Sequence, residues 1–149
     1  MSAVAMSLAA DHGSVPPADA DCREVLEQLL QRLPDLRAAV LARSDGFEVV
    51  SVLRRDLAVS RLAAISSSMM ALGHAALREL DMGKGRQVSV LVESPEGKLL
   101  LIEVVGRGPP RVLALVGDVQ VVTGALLWAA RDAAVQLSSL PPVSLSGVH

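Results

Sequence analysis

Apolar residues in the middle of the chain, over residues 59–80, recur in two interleaved sets. Leu62, Ile65, Met69, Leu72, Ala76 and Leu80 follow one another at spacings of three and four, and so do Val59, Ala63, Ser66, Met70, Gly73 and Leu77. At 3.6 residues per turn each set is a stripe along one side of a single helix. A helix on the surface of a globular domain needs one apolar stripe to cover its own core. A second stripe predicts that another chain covers it. The pattern does not order the two stripes. The assignment adopted from the sequence turns Leu62, Ile65, Met69, Leu72 and Ala76 to the sheet, and Ala63, Ser66, Met70, Gly73 and Leu77 to a partner, and the reverse stays open.

The remaining elements read more simply. Asp21 with Glu24 three positions on is a capping-box-like start. It opens a helix with Val25, Leu26, Leu29, Leu30 and Leu33 on one side, stopped by Pro34. Residues 36–43 and 47–53 are β-prone runs flanking Ser44-Asp45-Gly46, a hairpin signal because Asp and Gly accept positive φ. Gly83-Lys84-Gly85 breaks the central helix. Strands are predicted over 87–93, 99–105 and 111–116, the first two joined by a turn at Ser94-Pro95-Glu96-Gly97-Lys98. Asp118 is read as the cap of a last helix carrying Val119, Val122, Leu126, Ala129, Ala133 and Leu137 on one face. The order is α-β-β-α-β-β-β-α: an α+β domain with a five-stranded antiparallel sheet and three helices. Residues 21–138 form the domain, 1–20 a flexible leader rich in Ala, Ser, Asp and Pro, and 139–149 a flexible tail.

Composition narrows the function. Hydrophobic residues make up 51% of the 149 and aromatics 1%, so Leu, Val, Ala and Met must build the core. Net charge is -2 and the basic residues are scattered, which argues against nucleic acid, as does the lack of aromatic stacking platforms. Cys22 stands alone, leaving neither a disulfide framework nor a thiolate metal site. With no cationic leader and no apolar run of about 18 residues, the expectation is a cytoplasmic protein without membrane insertion.

The tempting chemical sites have plainer readings. Ser66, Ser67, Ser68, His74 and Asp81 suggest a triad, but Ser67 and His74 on one helix are about 10 Å apart along its axis. A nucleophile and its base need about 3 Å. Gly83-Lys84-Gly85 lacks the Ser or Thr of a phosphate loop and follows a helix rather than a strand. Arg54-Arg55 can be an arginine finger or the solvated end of an edge strand, the commoner case. His12, His74 and His149 share no ligand spacing. No catalytic residue, cofactor or metal is expected, and the chain is not read as an enzyme.

Three segments carry a resemblance. Residues 36–51, which run through Ser44-Asp45-Gly46-Phe47, together with the central helix over 62–80 and Lys98-Leu99-Leu100-Leu101-Ile102-Glu103-Val104-Val105, are similar to the roadblock/dynein-light-chain domain, a relative of longin and profilin-like folds. The resemblance implies a dimer in which central helices pack together and third strands pair, adding Val88 and Val90 to the interface. It also implies a partner, a small Ras-like GTPase, bound by a regulator (a GTPase-activating protein of the bacterial gliding-motility type) or by a signalling scaffold. Two other readings remain: a small-molecule sensor holding its ligand between sheet and helix, and an adaptor with no GTPase partner.

Overall fold

Strand β1, Leu36–Arg43, is covered on both sides: Leu36, Ala39 and Leu41 enter one core while Val40 and Ala42 enter another. This follows from side chains alternating across a pleated strand that sits at the centre of a sheet. The computed structural model describes residues 17–85 and 87–141. Helix α1 (Pro17–Arg32) precedes β1; β2 (Glu48–Leu53), α2 (Val59–Glu79), β3 (Ser89–Ser94), β4 (Gly97–Val104), β5 (Arg111–Asp118) and α3 (Thr123–Ser139) follow. The expected order of elements is the observed one.

All pairings are antiparallel, and the spatial order is β2-β1-β5-β4-β3. The consecutive strands β1–β2, β3–β4 and β4–β5 pair as neighbours, β2 and β3 lie at opposite edges, and β1 pairs with β5 to join the two halves of the sheet. Helix α2 joins the two edges, β2 and β3, across one face. At the first hairpin, Gly46 N–H donates to Arg43 O (3.0 Å) and Gly46 has φ +97, so a residue with a Cβ would be strained there.

The two faces differ in bulk. Leu41, Leu100, Ile102, Leu113 and Leu115 meet Leu26, Leu29 and Leu30 of α1 and Leu126, Ala130 and Leu137 of α3. Opposite, Val40, Ala42, Leu101, Val112 and Ala114 meet Ala63 and Met70 of α2. The small side chains let α2 lie close: a Cβ on Gly73 would stand 3.2 Å from Val90 Cγ2.

Several boundaries differ from expectation: β3 and β4 run over Ser89–Ser94 and Gly97–Val104 rather than 87–93 and 99–105, and β5 continues to Asp118. Helix α1 starts at Pro17 rather than Asp21, proline's fixed φ suiting a first helical position. Asp118 caps no helix: its Oδ1 accepts from Gln120 N–H (2.8 Å), its other oxygen pairs with Arg37, and α3 begins only after Val122. Of the leader expected over 1–20 and the tail expected over 139–149, residues 17–20 and 139 belong to helices, and residues 1–16 and 142–149 lie outside the described residues. No described helix is long and apolar enough to cross a membrane.

Candidate interaction surface

Helix α2 has good helix formers at both faces and no internal Pro, so its sequence sets its rotation only through packing. That packing reverses the assignment adopted from the sequence. Ala63, Ser66 and Met70, expected against a partner, are buried between α2 and the chain's own sheet, Met70 at 4% exposure. Gly73 faces Val90 and Val88 of the β3 segment, and Leu77 is half-buried on the same side. Val88 and Val90 pack on the α2 core and are themselves half-buried. Ala63, Ser66 and Met70 are thus internal, and Gly73, Leu77, Val88 and Val90 line the same seam half-buried. The reason is size: Ala63, Ser66 and Gly73 admit the close helix–sheet approach that Ile65 and Leu72 would block.

The other stripe is the free one. Leu72 is 70% exposed and Ile65 48%, with Leu80 and Met82 exposed beyond them. Leu62 and Met69 are half-buried and flank this ridge, and Ala76 is exposed on it. Large apolar side chains in one contiguous stripe mark an interaction surface. Beside the ridge runs β3, which pairs only with β4 and so presents an unpaired edge with Val92 exposed. The far edge differs: on β2, Arg23 Nη1 donates to Ser51 O (2.9 Å), and Glu48 and Arg54 give that edge charge.

The polar groups around α2 hold the scaffold. Ser67 Oγ donates within reach of Arg43 O (2.8 Å) and Ala63 O (3.0 Å), tying the helix to the hairpin turn. His74 Nε2 meets Glu103 Oε2 at 2.7 Å, and Glu103 is 7% exposed. Sequence reasoning missed this pair; the available signal was a carboxylate inside the apolar run of β4, which burial obliges to find a partner. The two residues open onto a cleft of about 420 Å³ with Ser44, Arg78 and Pro110 on its walls. With Ser67 on carbonyls and His74 on Glu103, the serine–histidine contact of a triad is not made.

Arg54 is equally committed. Its guanidinium donates to the carbonyls of Leu30, Leu33 (3.3 Å), Pro34 (2.9 Å) and Leu36 (3.1 Å), capping the C-terminus of α1. Both of its Nη atoms are thereby tied to the end of α1 and the start of β1, which supports a role in the fold over an arginine finger for Arg54. Gly83, Lys84 and Gly85 are exposed beyond α2, and His12 and His149 lie outside the described residues. Among the described residues, no cluster of three or more metal-ligating side chains forms.

The fold recurs in solved structures. The gliding protein MglB from Thermus thermophilus superposes with a TM-score of 0.71 at 20% identity, covering 82% of this chain and 89% of that one. A structure described as MglB with tetrameric arrangement gives 0.72 at 21% identity, covering 82% and 88%. A Roadblock/LC7 domain from Streptomyces avermitilis gives 0.66 at 24% identity, covering 76% and 91%. No curated protein matches the sequence. The family model described as Roadblock/LC7 domain matches residues 23–106, more than half of the chain, and the chain belongs to that family.

Proposed function

We propose that this protein is a non-catalytic, homodimeric regulator or scaffold that binds a small Ras-like GTPase through its surface. The observation that carries the reading is the exposed ridge of Ile65, Leu72 and Leu80 beside the unpaired edge of β3. A second copy placed there covers both at once, the helices side by side and the β3 edges continuing the sheet. Family membership and the likeness to gliding proteins support a GTPase as the further partner. The dimer offers its helix pair as a platform to the GTPase's switch regions. Regulation then acts by favouring one nucleotide state of the partner, since a binder shifts an equilibrium only by its differential affinity for the two states. Ser67, His74 and Arg54, which the sequence offered for chemistry, are engaged in holding the fold.

The test is binding of the purified protein to candidate small GTPases loaded with GDP or a non-hydrolysable GTP analogue. The reading expects one GTPase to bind with at least tenfold preference for one nucleotide state. Equal binding to both states, or none, contradicts regulation.

A further inference from the structure

Apart from its apolar ridge, the outer face of α2 carries two exposed charges, Arg61 near its start and Glu79 at its end. They are eighteen residues apart, about five full turns, so they stand on the same line of the helix some ~27 Å from one another. Neither makes a salt bridge among the described residues. Arg78, the remaining charged residue of α2, turns to the cleft beside Glu103 instead.

We infer that this pair sets the direction and register in which α2 packs on a second copy of this chain; the inference rests on the homodimer proposed above. Parallel packing places Arg61 against Arg61 and Glu79 against Glu79. Antiparallel packing places each Arg61 against Glu79 of the partner subunit, at both ends of the two-fold. In that register Met69 stands level with the small Ala71 of the partner subunit and Ile65 with the small Ala75 of the partner subunit, a large residue opposite a small one along the seam. A slip of one turn, about 5.4 Å, separates both charge pairs. Charges at the rim of an apolar seam select alignment more than they add affinity.

The arrangement makes a mixing experiment decisive. Arg61→Glu alone gives two Glu–Glu contacts in its homodimer, and Glu79→Arg alone gives two Arg–Arg contacts. One subunit of each restores two opposite-charge contacts. Each single variant is expected to dissociate at about tenfold higher protein concentration than wild type in analytical ultracentrifugation. An equimolar mixture is expected to return to the wild-type midpoint, with heterodimers dominating by native mass spectrometry. Both sites are exposed, so the variants retain the fold, and unchanged far-ultraviolet circular dichroism checks this. Dimers with statistical mixing overturn the register and leave the dimer standing. A wild-type chain that is monomeric at every concentration overturns the dimer itself.

Discussion

His74 on α2 and Glu103 on β4 are joined by a 2.7 Å contact across the layer between helix and sheet, with the Glu103 carboxylate nearly closed off from water. Among the described residues the pair is an ionisable link in a layer that also holds Val40, Ala42, Met70, Leu101, Val112 and Ala114. Cutting one side leaves a charge facing apolar neighbours. Replacing His74 by Ala is expected to lower stability by about 1–3 kcal/mol. The double variant His74→Ala, Glu103→Leu is expected to recover most of it. Urea unfolding of the three proteins checks the expectation, and a double variant no better than the single one contradicts it.

Arg54 ties the chain beyond β2 to the end of α1. Its four carbonyl acceptors belong to the last turn of α1 and to the connection into β1. Arg54→Ala is expected to cost about 1–2 kcal/mol in the same measurement. GTPase binding is expected to be unchanged, because the guanidinium works within the fold. Loss of binding at unchanged stability would point back to an arginine finger.

Ser66 is fully buried, and its hydroxyl meets no hydrogen-bond partner among the described residues. An unpaired buried hydroxyl is a cost that a methyl group avoids. Ser66→Ala is therefore expected to raise stability by about 1 kcal/mol, read as a higher thermal midpoint. A lower midpoint means that the hydroxyl has a use the fold does not reveal.

Burial pushes the Asp19 carboxyl above its ordinary pKa, an effect only partly offset by the positive charge of Arg111. A native carboxyl that holds its proton more tightly than the unfolded one favours folding below the ordinary aspartate range. That contribution is lost as pH rises through the native pKa. Asp19→Asn is expected to gain stability over wild type at neutral pH, and the gain is expected to shrink toward zero at pH 3. Equilibrium unfolding at the two pH values decides it. A difference that grows on acidification contradicts the assignment.

The order of elements was legible because period and punctuation agree over most of the chain. Asp45-Gly46 fixes the first hairpin, Pro34 ends the first helix, and the apolar residues of β4 and β5 match strands with both faces covered. The rotation of α2 was not legible, since both stripes are apolar and hydropathy alone cannot rank them. Side-chain volume does rank them: Ala63, Ser66 and Gly73 fit where the helix lies closest to the sheet, and Ile65 and Leu72 do not. Asp118 misled because a carboxylate after a strand serves a turn as readily as a helix cap. The His74–Glu103 contact joins residues 29 apart, beyond the reach of any local pattern.

Exchanging the stripes changes what substitution should do to Met70 and Leu72. With Met70 inside, Met70→Asp buries a charge in the chain's own core and is expected to unfold the protein rather than split a dimer.

Sedimentation of Leu72→Asp beside wild type tests the central claim most directly, because Leu72 stands out from the fold at the middle of the ridge. The account predicts a wild-type dimer and a Leu72→Asp monomer with the same circular dichroism and an intact thermal transition. A Leu72→Asp protein as dimeric as wild type, or a wild type that never dimerises, contradicts it.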